Sequence, residues 1–259
     1  MIPKSSTFRV DTERIPSGIT LLDRTLAGGL PRGTFICIDG DIGTGTSTFC
    51  IQTVWSRLTR GGMAAYVCLD DPPERVIEHF RSYGLNVDAY IEKNQLLLFD
   101  AHSLMNSLAS ATKGQDQAAE QDNLFKELAA RFDSKSSTQL SDHRNLGFPR
   151  VSVIDSISAA APYTNLKSTY VLAHLIADQA KRSMNIAVAV THTGALEANV
   201  FSACSSVADG IIRMEYSFTR GELKRLMRIE KMAFTPIPAR PLEYKITSKN
   251  GIEILDNQR

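Results

Sequence analysis

The fold is decided by one stretch of sequence, Thr34-Phe35-Ile36-Cys37-Ile38-Asp39-Gly40-Asp41-Ile42-Gly43-Thr44-Gly45-Thr46-Ser47-Thr48. Its first six residues, 34–39, form a short apolar run that is typical of a buried strand. The glycine-rich segment leads into a helix that is predicted to continue to Arg60, with apolar residues recurring on one face. These residues are Cys50, Ile51, Val54, Trp55 and Leu58. A strand, a glycine loop and a helix in this order predict a site for phosphate groups.

The glycine loop matches the phosphate-binding pattern G-x-x-x-x-G-K-[ST] at every fixed position except one. Gly40, Gly45 and Ser47 are in register, whereas Thr46 stands where the pattern has lysine. That lysine normally sets a full positive charge against the β- and γ-phosphates, and a threonine hydroxyl has neither the charge nor the reach. We therefore expect a cofactor-binding loop with weakened chemistry. Its candidate residues are Gly40, Asp41, Gly43, Thr44, Gly45, Thr46, Ser47 and Thr48.

Strands and helices alternate outward from this loop. Further strands are predicted over 64–69, 95–99, 151–154 and 185–190, and helices over 18–26, 73–83 and 168–183. The strands are apolar throughout, which indicates burial on both faces of a parallel sheet. The alternation predicts an α/β fold whose central sheet is mainly parallel and is flanked by helices.

The sequence after residue 210 predicts a different kind of edge. Shorter strands joined by glycine and proline turns are expected over 210–216, 223–232, 242–247 and 251–255. This pattern favours an antiparallel C-terminal edge on the sheet. Residues 1–12 are polar and are predicted to form a flexible arm, and 13–259 a single domain. Within that domain, 102–149 is rich in Ser, Gln, Asp and Lys and is predicted to be a polar surface insertion.

The composition excludes several classes of protein. The 29 Lys and Arg residues balance 28 Asp and Glu residues among 259, so a global electrostatic hold on nucleic acid or an anionic membrane is not expected. No apolar run approaches the ~18 residues of a membrane span, and residues 1–10 lack the apolar core of a signal peptide. The cysteines show no metal-ligand spacing, so reduced thiols and a cytoplasmic location are expected. They are Cys37, Cys50, Cys68 and Cys204.

Further motifs, taken together with the glycine loop, resemble the KaiC-like proteins of the RecA superfamily. They cover nearly the whole chain outside the insertion. The motifs are 18–22, 28–34, 74–90 (ERVIEHFRSYGLNVDAY), 153–158, 208–212, 228–232 and 244–247. The resemblance implies a RecA-like P-loop domain with ATP and Mg²⁺ as cofactors. It also implies a homo-oligomer, a ring of six copies, because such domains bind nucleotide between subunits.

The resemblance implies two intact metal positions. Ser47 would supply the hydroxyl that ligates Mg²⁺. Asp155 follows the predicted strand 151–154 and matches the Walker B aspartate, which orients that ion through water. The alternative for Asp155 is a carboxylate that caps a helix or a turn without any metal.

Two further positions depart from the family pattern, in addition to the lysine of the loop. The family usually has paired glutamates after its second strand, one of which polarises the attacking water; here the pair is Asp70-Asp71, each one methylene shorter. The family's Lys-Met-Arg, whose charges reach the γ-phosphate of the neighbouring subunit, is here Lys231-Met232-Ala233. Asp70, Asp71 and Lys231 remain the candidate catalytic residues. The alternative for the aspartates is a turn that opens the next helix.

These departures predict a protein that has kept the shape of an ATPase and lost part of its chemistry. An arginine finger contributes ~10³–10⁵ in rate, so the loss of that arginine and of the loop lysine predicts slow or absent hydrolysis. We expect a pseudo-ATPase that acts as an oligomeric scaffold or as a regulator of a protein partner. One alternative is a working ATPase in which Lys231 supplies charge in trans, and another is a DNA-recombination accessory protein.

Two features stay open at the level of sequence. His192 lies just past a predicted strand, where such folds place a residue that senses the γ-phosphate; the alternative is a hydrogen-bonded structural histidine. A basic cluster lies near the antiparallel edge, and a solvated face or a subunit contact is expected for it rather than contact with DNA. The cluster consists of Arg220, Lys224, Arg225 and Arg228.

Overall fold

The computed structural model describes residues 13–103, 105, 150–163, 166–195, 198–219 and 221–256. The predicted arm and all but a few residues of the predicted insertion lie outside these ranges, so both predictions stay untested. The strands are β1 Arg14–Ile15, β2 Leu30–Pro31, β3 Thr34–Gly40, β4 Ala64–Cys68, β5 Leu96–Asp100, β6 Val151–Asp155, β7 Ile186–His192, β8 Gly210–Thr219, β9 Glu222–Met232, β10 Leu242–Thr247 and β11 Gly251–Ile254. The helices are α1 Thr20–Thr25, α2 Thr46–Thr59, α3 Pro73–Ser82, α4 Asp88–Glu92, α5 Leu166–Ser183 and α6 Ala198–Val207, with a 3-10 helix over Ile157–Tyr163.

Nine of the described strands form one sheet in the order β11-β10-β9-β8-β3-β7-β6-β4-β5. From β8 to β5 every neighbouring pair is parallel, and from β8 outward to β11 every pair is antiparallel. The predicted α/β fold, with a mainly parallel sheet and an antiparallel C-terminal edge, is therefore confirmed. Strand β3, which carries the glycine loop at its end, lies at the centre of this sheet.

Helices cover both faces of the sheet. On one face, side chains of α1, α2 and α3 such as Leu22, Val54 and Phe80 pack on β3, β4 and β7. On the other face, α5 and α6 pack on the same strands through residues such as Ile176 and Cys204. All seven residues of β3 are buried, which explains why its sequence is apolar without alternation.

Several boundaries differ from those predicted. Strand β7 continues two residues past 190, because Thr191 and His192 remain in register with Asp39 and Gly40 of β3 although they are polar. Helix α1 begins only at Thr20, and the helices α4 and α6 were not predicted. Helix α6 has the sequence ANVFSACSSV, whose serines and β-branched residues have weak helix propensity.

The described part of the chain contains no helix that is both long and apolar enough to cross a membrane. The four cysteines are free and buried. Burial raises the pKa of the Cys37 thiol to about 12, so that thiol stays protonated at neutral pH.

Candidate functional site

The glycine loop, residues 40–48, lies at the C-terminal end of β3, and its carbonyl groups are bonded within the protein. The Thr44 hydroxyl donates a hydrogen bond of 2.7 Å to the Asp41 carbonyl. The Tyr244 hydroxyl donates one of 2.7 Å to the carbonyl of Thr44, and the Thr193 N–H donates one of 3.0 Å to the carbonyl of Gly40. These bonds fix the path of the loop and leave the N–H groups of Gly43, Gly45, Thr46 and Ser47 unused.

Several N–H groups of the loop have no partner among the described residues, whereas those of Asp41 and Thr44 donate to the carbonyls of Met214 and Asp41. Within the described residues, no acceptor is bonded to the N–H groups of Gly43, Gly45, Thr46 and Ser47. The first N–H groups of a helix are not used by the helix itself, and together with the helix dipole they attract an anion. The loop therefore has the donors for a phosphate group even though it has no lysine.

Thr46 contributes to packing rather than to charge. Its side chain is buried, with 5% of the residue exposed. A Cβ atom placed on Gly40 would lie 2.5 Å from the Thr46 Cγ2 atom, so the threonine methyl occupies space that only a glycine at position 40 leaves open. The residue at the lysine position thus folds back against the loop.

Asp41 and Thr48, at the two ends of the predicted loop, are tied to neighbouring elements. The Asp41 carboxylate accepts a hydrogen bond of 3.2 Å from the Tyr216 N–H in β8. The hydroxyls of Thr48 and Tyr83 lie 3.0 Å apart, which connects α2 to the end of α3. Both residues hold the loop in place.

Asp155 lies at the end of β6 with 6% of the residue exposed. Its Oδ2 accepts a 2.5 Å hydrogen bond from the Tyr66 hydroxyl, whereas Oδ1 is buried and has no hydrogen-bond partner among the described residues. Burial raises the pKa of Asp155, and the hydrogen bond from Tyr66 and the nearby Ser47 hydroxyl act in the opposite direction. A buried, unpaired carboxylate oxygen beside the Ser47 hydroxyl fits a hard divalent cation that keeps most of its waters.

Asp70 and Asp71 follow β4, and only the first faces the site. Asp70 Oδ1 accepts a 3.0 Å hydrogen bond from the Ser156 hydroxyl, and Oδ2 lies 3.3 Å from His192 Nε2. The side chain of Asp71 is exposed, and no side chain caps helix α3. The alternative of a helix-opening turn therefore does not account for the contacts of Asp70.

His192 ends β7 in direct register with Gly40 of β3. The hydrogen bond that the ring donates to Asp70 raises the pKa of His192, and burial opposes this effect. Its Nδ1 atom is buried and has no hydrogen-bond partner in the described ranges. His192 is hydrogen-bonded, as one of the two sequence interpretations predicted, and it also lies beside the glycine loop.

The sequence analysis missed one charged pair beneath the loop. Asp39, the residue before Gly40, is buried and accepts a 2.8 Å hydrogen bond from the Thr191 hydroxyl. It also forms an ion pair with Arg213 of β8, which in turn pairs with Glu230 at 2.9 Å. An aspartate that ends a buried strand was a visible signal, but its partner lies far away in the sequence.

Lys231 lies at the opposite end of the sheet from its own glycine loop. Lys231 pairs with Ile211 near the start of β8. Gly40 of the loop pairs with Met214, three residues farther along the same strand. Three residues of strand separate the two positions by about 10 Å, and the Lys231 amine donates to the carbonyl of Ala208. Lys231 therefore belongs to a different surface from the loop of the same chain.

Two residues of the basic cluster are ion-paired, and a third, Arg225, lies over the ring of Tyr216. Lys224 pairs with Glu243 at 3.0 Å, and Arg228 pairs with Glu215 at 2.7 Å. Arg220 lies outside the described residues. Ion-paired cations of this kind do not form the continuous basic face that nucleic-acid binding requires.

A cavity of about 660 Å³ lies farther along α2, between α1, α2 and β11. Trp55, Tyr83 and Asn250 are among the residues that line it, and none of the predicted site residues does. The site described above thus lies at the C-terminal ends of the central strands, and it is distinct from this cavity.

Comparison with known proteins decides the family. A family model described as the KaiC ATPase matches residues 15–259. The chain belongs to the KaiC family. A UPF0273 protein of Aeropyrum pernix is 30% identical to this KaiC-like chain over 249 residues, which is 93% of each sequence. A UPF0273 protein of Thermotoga maritima is 27% identical over 250 residues, covering 95% of this chain and 97% of the relative.

Two solved structures share the fold of this KaiC-like protein. A KaiC-like protein of Pyrococcus horikoshii superposes with a TM-score of 0.71 at 20% identity, over 94% of this chain and 99% of that one. The flagellar accessory protein FlaH of Methanocaldococcus jannaschii superposes with a TM-score of 0.71 at 21% identity and the same coverage. Together with the family match, these likenesses confirm a RecA-like, KaiC-type ATPase domain.

Proposed function

We propose that this protein is a pseudo-ATPase of the KaiC family that binds ATP with Mg²⁺ and acts through its assembly. One observation carries the proposal: the loop keeps its unpaired N–H groups although a buried, uncharged Thr46 stands at the lysine position. Ser47 and Asp155, the residues expected to hold Mg²⁺, are present beside it. Binding needs mainly the cradle and the cation, whereas fast phosphoryl transfer needs charges placed against the leaving phosphates. The groups needed for binding are present, whereas the charges needed for fast phosphoryl transfer are partly missing.

Mg²⁺ would be held by the Ser47 hydroxyl and, through water, by Asp155. When bound, this ion neutralises phosphate charge and orients the β- and γ-oxygens. The protein's own contribution is to hold Asp155 in place through Tyr66 and to hold Asp70 through Ser156 and His192. Asp70 is the carboxylate that we assign to the attacking water, and its engagement on both oxygens limits that role.

Charge from a second copy would complete the site. Lys231 cannot serve its own loop, since it lies at the far end of β8. In a head-to-tail oligomer it would meet the loop of a neighbour, and Ala233 would leave the accompanying arginine position without a charge. We propose a homo-oligomeric ring of six copies in the cytoplasm, where free and buried cysteines are the norm. Its output would be recognition of a protein partner.

The test combines calorimetric titration of Mg²⁺ and ATP with a phosphate-release assay. The natural protein, Thr46→Lys, Ala233→Arg and the double variant are compared. Thr59→Lys adds the same charge at the exposed end of α2, and Ala239→Arg adds an arginine on an exposed loop, so both serve as controls. We expect the natural protein to bind ATP with little turnover, and the double variant to gain at least about tenfold in rate.

A working ATPase that uses Lys231 in trans is the second candidate, because the register of β9 leaves Lys231 available to a neighbour. Rapid turnover by the natural protein that is abolished by Lys231→Ala would favour this candidate over the pseudo-ATPase. Absence of nucleotide binding in every variant would overturn both.

A DNA-recombination accessory protein is the third alternative, and the ion-paired basic cluster gives it little support. Binding to single-stranded DNA that weakens steeply with salt would establish this alternative. No binding at low salt would remove it.

A further inference from the structure

The site without a lysine contains another group that can carry a positive charge. His192 ends β7, and its backbone is the direct neighbour of Gly40, the first residue of the phosphate loop. Its Nε2 atom lies 3.3 Å from Asp70 Oδ2. The backbone of His192 thus lies beside the loop, and its imidazole contacts the carboxylate that follows β4.

The charges around His192 come from every neighbouring strand end and are mostly negative. Asp70 follows β4, Asp155 ends β6 and Asp39 lies in β3, and all three favour a charged imidazole. The nearby cation Arg213 is already paired with Asp39 and Glu230. An imidazole among carboxylates is protonated more readily than one in water, so the pKa of His192 is raised above 6.5.

Protonation also changes the hydrogen bonding of the ring. In the imidazolium both ring nitrogens are donors, and Asp70 can accept only from Nε2. Nδ1 is buried and has no acceptor in the described part of the chain. A buried donor without an acceptor is costly, so an anion brought to the loop would stabilise the charged ring.

We propose that protonated His192 supplies the positive charge that Thr46 lacks, so that phosphate groups bind to this loop in a pH-dependent way. This inference rests on the proposed function, since it names the cation of the same nucleotide site. A histidine in place of a lysine makes the charge conditional: present at lower pH, and lost as the pH rises through the pKa of His192.

The experiment is calorimetric titration of Mg²⁺ and ATP at about pH 6 and about pH 8.5, a range that spans the titration of a histidine. The natural protein, His192→Gln, His192→Lys and His174→Gln are compared. His174 is exposed on α5 and serves as the matched control. Nuclear magnetic resonance of the nucleotide-free protein follows the titration of the His192 ring separately from any activity.

We expect the natural protein and His174→Gln to bind about tenfold more tightly at the lower pH, the effect of one nearby charge. His192→Gln should bind weakly at both values, and His192→Lys tightly at both. Adding Thr46→Lys to His192→Gln should restore tight binding. Rescue by either lysine separates a charge role from a merely structural one, and circular dichroism confirms that each variant is folded.

The outcomes distinguish this inference from the proposed function. If the natural protein binds equally well at both pH values, or if His192→Lys binds as poorly as His192→Gln, the role of His192 is wrong and nucleotide binding stands. If neither the natural protein nor Thr46→Lys binds nucleotide at either pH, the proposed function fails and this inference fails with it.

Discussion

The charge of the Asp155 carboxylate is made unfavourable by burial in the free protein. Burial raises its pKa, Tyr66 and Ser47 lower it, and one of its oxygens has no partner among the described residues. A residue in this state lowers the stability of the metal-free fold in favour of a ligand. Removing its charge, or removing its main hydrogen bond, should therefore have opposite effects on stability.

We predict that Asp155→Asn raises the free energy of unfolding by about 1 kcal/mol near neutral pH in metal-free buffer. Because the folded-state pKa of Asp155 lies above its ordinary value of 3.8, the natural protein loses stability as the pH rises through that pKa. The asparagine variant lacks this loss, so the difference should vanish below about pH 4. Urea denaturation at several pH values measures it, and equal stability at neutral pH would contradict it.

We predict that Tyr66→Phe lowers the free energy of unfolding by about 1–3 kcal/mol, since it leaves a second oxygen of a buried carboxylate without a donor. The matched control is Tyr170→Phe, because Tyr170 is exposed on α5. Denaturant unfolding compares the two variants. A Tyr66→Phe protein as stable as the control would show that the short bond to Asp155 contributes nothing net.

Among the individual residues of the site, those set by local sequence patterns could be predicted, whereas contacts set by the order of the strands could not. The loop residues and Asp155 follow from local patterns, in which a strand runs into a turn or ends in a carboxylate. The contact of His192 with Asp70 depends on β7 and β4 lying on either side of β6, and that order is a property of the whole sheet. No spacing along the chain encodes it.

The start of α2 is shaped by a strand that is remote in sequence. Gly45 has a φ of +96°, and a Cβ atom there would lie 2.5 Å from the Ile246 Cδ1 atom of β10. The glycine is required for its backbone conformation, and a side chain at this position would also displace the tip of Ile246. The loop and the antiparallel edge are therefore in direct contact.

We predict that Gly45→Ala destabilises the protein by about 2–4 kcal/mol, whereas Gly84→Ala costs about 1 kcal/mol. Gly84 also has a positive φ of +72°, but nothing lies within 4 Å of the Cβ it would gain, so it isolates the backbone cost from the clash. Adding Ile246→Val, which removes Cδ1, should recover part of the loss at Gly45. Thermal unfolding of the natural protein and these three variants provides the measurement, and equal losses at the two glycines would contradict the clash.

Most elements could be predicted because burial on both faces gives strands a continuous apolar signature. Helix α6 could not, because its small and β-branched residues favour a helix weakly and it forms through packing with α5 and β3. The five residues of α4 are too few to show a helical period. Strand ends shifted where polar residues such as His192 stayed in the ladder.

Across the described part of the molecule, the sheet separates the two candidate surfaces of the proposed function. The glycine loop lies at one end of the central strand, and Lys231 lies toward the other end. A nucleotide between copies would touch the loop of one and Lys231 of the next. Contacts of this head-to-tail kind build rings or filaments.

We predict that Lys231→Ala weakens ATP binding by about three- to tenfold in the assembled protein, and leaves the dissociated protein unaffected. Affinity measured across protein concentrations, together with mass in solution, tests this difference. Lys245→Ala, an exposed lysine of β10, is the control and should change neither state. An equal loss in the isolated chain would mean that Lys231 acts within its own copy or only through folding.

The Tyr244 hydroxyl of β10 donates a hydrogen bond to the carbonyl of Thr44. Through this bond the strand pair β10 and β11 holds the glycine loop in place. Although β10 and β11 are peripheral to the parallel sheet, the loop depends on them for its shape. We expect that a chain shortened before residue 242 keeps its central strands and first loses the ordered shape of the glycine loop. Damage to the peripheral strands β10 and β11 would then disorder the glycine loop before the parallel sheet unfolded.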